Sequence, residues 1–215
     1  MLNGFELKVA DGLVVITPQI ITSTTKRAAA SFTSVTFPTE ALVINFNDLV
    51  VRTNVASAGA LASPTDVIKI SDFTFAFTRP MEGDPVNNTD GTDDIPLATG
   101  FPETTLTLSF PSLLAANDAL LSAAPIILAD HAPTYYKADL VFTGPDNAGT
   151  TREFILELPR LKIMNPEALG AGPHQKVPVK VEFKAYRSAV VPTGMFANIP
   201  FRFKLNGSSN GTNPL

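Results

Sequence analysis

Cysteine and tryptophan are absent from this chain of 215 residues, and histidine occurs only twice. Without cysteine there is no disulfide framework, no thiolate nucleophile and no cysteine-ligated metal, and the redox compartment is unconstrained. His131 and His174 stand alone, each close to a proline, with no metal ligand at a site-like spacing, so both read as loop histidines. Charged residues make up 17% of the chain against 45% hydrophobic ones, a balance that builds a sizeable core and excludes a disordered chain. The net charge of −4 argues against a general nucleic-acid binder, which carries a basic patch. Met1 to Ala10 lacks the basic start and apolar run of a targeting signal. Leu13 to Ile21, broken by Pro18 and Gln19, is too short to span a bilayer. These features predict a soluble protein made in a cytoplasm.

What is present is alternation. Side chains on a strand point to opposite faces in turn, so apolar residues at every second position mark a half-buried strand. Phe154, Leu156 and Leu158 alternate with Glu153, Ile155 and Glu157, and Val177, Val179, Val181 and Phe183 alternate with Lys176, Lys180, Glu182 and Lys184. One antiparallel register sets Phe154 opposite Phe183, Leu156 opposite Val181 and Leu158 opposite Val179. It also sets Glu153 against Lys184 and Glu157 against Lys180, each pair worth roughly 0.2–1 kcal/mol. Leu161 to Met164 extends the first strand past a kink at Pro159. Further strands are expected at Phe5–Val9, Leu13–Ile21, Ser31–Phe37, Ala41–Arg52, Asp66–Arg79, Thr104–Phe110, Tyr135–Thr143 and Ile199–Leu205. Asp11-Gly12 reads as a tight turn with positive φ, and Gly144 to Gly149 as a hairpin loop. Ser112 to Ala123 is the one convincing helix, with Leu113, Leu114, Ala116, Leu120 and Leu121 on one side and Pro111 and Pro125 at its ends.

The expected architecture is therefore mainly β: two packed antiparallel sheets, sandwich- or barrel-like, flanked by one α-helix at about 112–123. A single domain covers 1–215, with long loops at about 53–65, 80–103 and 165–176. The second of these is the most unusual segment. Glu82, Asp84, Asp90, Asp93, Asp94 and Glu103 lie in it without a single Lys or Arg. Loops of this length in compact domains are usually functional or disordered. From Arg152 onward bases outnumber acids. One chain carrying both kinds of patch can complement a second copy of itself, although solvated strand faces and a solvated loop account for the same charges.

Chemistry-bearing motifs fall short one by one. In Asp84 to Asp94, Asn88, Asp90 and Gly91 fit three positions of a calcium loop, but Val86 occupies its first ligand position. Gly144 to Thr151 has the glycine spacing of a phosphate loop, with Thr150 where the lysine belongs. No Gly-x-Ser-x-Gly elbow exists. Glu153 and Glu157 share a face as on any exposed strand. The three Asn-x-Ser/Thr triplets, beginning at Asn87, Asn206 and Asn210, carry no weight without a secretory signal. No catalytic, cofactor-binding or metal residues are assigned, and the expected work is contact and shape rather than enzymatic.

Phe154 to Lys162, a Gly/Pro loop, and Val177 to Tyr186 closing Glu182-Phe183-Lys184-Ala185-Tyr186 together resemble the C-terminal part of tail tube (major tail) proteins of long-tailed bacteriophages. The ending Asn213-Pro214-Leu215, the stretch Phe75 to Asp84 with its Arg79-Pro80-Met81-Glu82-Gly83-Asp84, and Gly100 to Leu106 are similar to stretches of the same group. Residues before about Pro64 carry no part of the resemblance. It implies two packed sheets with one helix, and hexameric rings joined sheet edge to sheet edge and stacked into a virion tail tube. The implied partners are further copies of the chain, the tape measure protein and passing DNA in the channel, and tail terminator and tail tip proteins. A terminator or connector ring of similar fold is the alternative. A glycan-binding or adhesin β-sandwich is a third reading, disfavoured by the lack of Trp and the three Tyr.

Overall fold

The computed structural model describes residues 2–20, 45–82, 97–110, 134–144, 153–164 and 179–206. Its strands are β1 (Leu2–Ala10), β2 (Leu13–Ile20), β3 (Leu49–Val55), β4 (Val67–Ile68), β5 (Asp72–Thr78), β6 (Met81–Glu82), β7 (Leu97–Ala98), β8 (Glu103–Phe110), β9 (Tyr136–Thr143), β10 (Glu153–Ile163), β11 (Val179–Ala185) and β12 (Arg202–Asn206), with one 3₁₀ turn at Phe46–Asp48. The protein is mainly β. The helix expected at 112–123, the strand at Ser31–Phe37 and the loop at 165–176 lie outside the described residues, as do 145–152 and 83–96.

All pairing is antiparallel, in the order β2-β1-β5-β8-β11-β10-β9-β3-β4, with β12 also on β10 and β6-β7 as a separate ribbon. The large sheet does not close. It folds over on itself because β10 serves both halves. Glu153 to Glu157 pair with β12, while Leu161 to Ile163 pair with β11. Between these stretches the register against β9 slips by one residue, at Leu158/Leu161. Pro159 sits in that slip and has no N–H for a ladder bond, so the strand bends there. One layer is thus β4-β3-β9-β10-β12 and the other β2-β1-β5-β8-β11. The expected pair of packed sheets is present as two halves of one sheet sharing a corner strand.

The space between the layers is filled mostly by phenylalanine. Phe5 of β1 and Phe75 of β5 meet Phe201 and Phe203 across the gap, with ring centroids 5.3–6.3 Å apart, and Phe73 meets Phe142 at 5.8 Å. Leu7, Leu106, Leu108, Phe110, Leu140, Leu156, Leu158 and Phe183 complete a fully buried core. Each such side chain contributes roughly 1.5–3 kcal/mol by leaving water. The alternations in β8 (Leu106, Leu108, Phe110) and β9 (Tyr136, Ala138, Leu140, Phe142) all point inward as expected.

Three expectations need correction. The strands β10 and β11 do pair, but Phe183 meets Ile163 rather than Phe154, nine residues further along β10 (163 − 154). The expected position is taken by β12, whose Phe203 stacks on Phe154 at 5.0 Å; β11 instead gives most of its length to β8, with Phe183 opposite Leu106. Asp66–Arg79 is two strands: β4 joins β3 in one layer and β5 joins β1 and β8 in the other, so the chain changes layer at 69–71. Within Ala41–Arg52, residues 41–44 lie outside the described residues, Phe46–Asp48 form a 3₁₀ turn instead of strand, and β3 runs from Leu49. The turn at Asp11-Gly12 forms as read, with φ of 50° and 77°, as a two-residue hairpin loop requires.

Candidate assembly edge and a charge row beneath a strap

Strand β2 forms one end of the large sheet. It has eight residues and no charge, Leu-Val-Val-Ile-Thr-Pro-Gln-Ile. A two-residue hairpin hydrogen-bonds Ala10 to Leu13, and pairs then alternate, so the backbone groups of Val14, Ile16 and Pro18 turn away from β1. A single bridge from Leu13 to Asn45, with Phe46 N–H donating to the Gly12 carbonyl at 2.9 Å, occupies the start of that edge. Side chains of Val14, Ile16 and Pro18 sit opposite Val9, Leu7 and Phe5 on the core-facing side. Yet Ile16 is 57% exposed and Ile20 63%, whereas Leu7 beside Ile16 is wholly buried. The cause is an offset between the layers. Phe201 and Phe203, just before and within β12, pack on β1 and β5, and among the described residues no strand lies beyond β12 to cover β2. Exposed edge strands in soluble proteins usually carry lysine, proline or a bulge against pairing; here Pro18 is the one such residue in the strand.

A second projection extends the β5–β8 hairpin. Beyond Thr78 and Glu103 the chain continues into the β6–β7 ribbon. Leu97 and Phe101 at its root are 68% and 95% exposed. Of the acidic residues here, Glu103 forms an ion pair with Lys184 of β11; Asp84, Asp90, Asp93 and Asp94 lie outside the described residues.

The outer face of β3, β9, β10 and β12 is different. Arg52, Asp139, Glu157 and Arg202 are successive cross-strand partners in one row. Arg52 grips Asp139 with two hydrogen bonds, Nε to Oδ1 at 2.8 Å and a second nitrogen to Oδ2; this geometry is the favoured one for guanidinium and carboxylate. Glu157 is only 4% exposed and its Oε2 has no partner. Burial pushes its carboxyl above the usual glutamate range, opposed by the Phe196 N–H and by Arg202 and Lys204. The reading of Glu157 as an exposed strand residue opposite Lys180 is therefore wrong: its neighbours are Asp139 and Arg202, and a segment lies over it.

That segment is the strap Tyr186–Pro200. Lys137, wholly buried on the same face, fixes it. Its ammonium donates to the carbonyls of Ala58, Gly59 and Thr193 at 2.8, 2.6 and 3.0 Å, which ties the strap and the loop after β3 to β9. Gly194 has φ of 81°, and a Cβ there would come within 2.6 Å of Ala60 Cβ, so only glycine fits where the two loops touch. The ring of Phe196 packs against the cations of Arg202 and Lys204, 5.4 and 4.1 Å from its centre.

No metal-binding cluster of His, Cys, Asp or Glu occurs among the described residues, and no described helix is long and apolar enough to cross a membrane. His131, His174 and the Asp84–Asp94 run lie outside them, and of Gly144 to Thr151 only Gly144 is described. Neither the row nor the strap was expected from sequence. The available signal was Lys137 and Asp139, charges on the second face of a strand whose first face is entirely core. No protein-family model matches the chain, and no curated protein is similar to it at a significant level.

Proposed function

We propose that this protein is a structural virion subunit, the tail tube protein of a long-tailed bacteriophage, which assembles into stacked hexameric rings around a channel for DNA delivery and performs no catalysis. The observation that carries the reading is β2: an uncharged edge strand that, beyond the Leu13–Asn45 bridge, has no second strand neighbour among the described residues and leaves part of its core-facing side open. A second copy that continues the sheet at this edge would hydrogen-bond the outward-facing backbone groups and cover Ile16 and Ile20. The offset supports that mode over a purely side-chain contact, because a single added strand satisfies both needs. Of the stretches that resemble tail tube proteins, the described residues fall on β5, β6, the start of β8, β10 and β11; Asn213–Leu215 lies outside the described residues. The overall acidity of the chain would discourage DNA from adhering to a lumen.

Negative-stain imaging of the concentrated protein tests this reading. Long tubes are expected. Isolated rings would favour a terminator or connector of similar fold, and dispersed single particles at high concentration would overturn self-assembly.

A further inference from the structure

The strap covers a buried carboxyl that has one contact to it and one orphan oxygen. Between Ser188 and Pro200 the strap contains no titratable side chain. For the part from Ser188 onward, pH dependence in how firmly it sits comes from the groups beneath it. Those are Glu157 on β10, Asp139 beside it on β9, Arg52 of β3 bound to Asp139, Arg202 and Lys204 on β12, and Lys137, which reaches the strap at Thr193 and is itself influenced by Asp66. Arg52 is committed to Asp139 and Lys137 to three carbonyls. Glu157 alone in this set has a buried atom without a partner.

We propose that Glu157 is a proton-operated latch for the strap: the neutral carboxylic acid lets the segment 186–200 sit closed on β9 and β10, and the carboxylate favours its lifting so that water reaches the charge. A buried carboxylate with an unpaired oxygen is poorly solvated, and opening the cover is the cheapest way for the fold to rehydrate it. The strap carries Val190, Val191, Phe196 and Ile199 on its outer side, all at least 45% exposed. Acidity would therefore set how rigidly this apolar surface is presented. The proposal does not depend on the tail tube reading.

The sign follows from the closed state's preference for the neutral acid. Below the ordinary glutamate range both states are protonated and the strap stays shut. Above it, the open state ionises first, and opening grows more favourable until pH passes the raised value of the closed state. A single linked proton makes the opening constant rise by up to about tenfold per pH unit within that window. The Phe196 amide, which donates to Glu157, is the direct reporter. Hydrogen exchange at Phe196 in the intact protein, corrected for the intrinsic rate, should show this rise, and Glu157→Gln should show a flat, low opening constant. An opening constant that does not change with pH in the wild type, or an equal slope in Glu157→Gln, would overturn the latch. If Glu157→Gln does not fold, the carbon-13 titration of the Glu157 carboxyl in the wild type decides: a midpoint at the upper end of the exchange window supports the proposal, and a midpoint outside the window refutes it.

Discussion

At the strap, charged side chains lie in a row under cover, and at β2, isoleucines lie in the open. Asp139 and Glu157 are 7% and 4% exposed, Ile16 and Ile20 57% and 63%. The same chain thus buries what water would solvate and leaves out what water would expel. The difference lies in what each region is given within one copy. The charge row has a local cover, pinned by Lys137 and by a glycine that admits the Ala60 contact. The β2 row has none among the described residues, because the two layers are offset and the facing one reaches only β1 and β5. A polar region completed internally is a stability device. The apolar region left incomplete is the surface on which the proposed assembly rests.

Substitutions should separate the two kinds of region. Asp139→Ala leaves the part-buried Arg52 guanidinium without its two-point partner and should cost about 3 kcal/mol of unfolding free energy, read by denaturant titration. Lys137→Met leaves the carbonyls of Ala58, Gly59 and Thr193 without their donor. It should cost about 2 kcal/mol and raise protease cleavage within 186–200, with cleavage elsewhere little changed. Glu157→Gln should do the opposite of its neighbour: removing a charge that burial disfavours raises the unfolding free energy and Tm near neutral pH, read by thermal melts across pH. That gain should shrink as pH falls toward the ordinary glutamate range, where wild type is protonated too. Ile16→Lys should leave the unfolding free energy within about 0.5 kcal/mol, since the side chain already meets water, while reducing association. A large loss of monomer stability in Ile16→Lys would mean that the β2 row is covered within one copy, and the comparison would fail.

Much of the fold was legible because apolar alternation survives in the strands that face one core. Phe73, Phe75, Leu106, Leu108, Phe110, Leu140 and Phe142 announce their faces without ambiguity. Pairing was less legible. Phe154 and Phe183 are equally good partners for several strands, and only the bend at Pro159, which lets β10 serve both layers, selects among them. The charge row escaped the sequence for another reason. Alternation marks one face as core and suggests that the other is wet, so Glu157 passes for a solvated residue. It is buried by a segment, Tyr186–Pro200, that has no secondary structure and therefore no periodic signal. The strand β2 was visible from the start, but its exposure was not, since that depends on where the opposite layer is placed.

The most direct test sets wild type and Ile16→Lys side by side at high concentration in negative-stain electron microscopy. Tubes from the wild type and dispersed particles from the folded variant are the predicted pair of images. Dispersed wild-type protein, or tubes from both, would contradict the role given to β2.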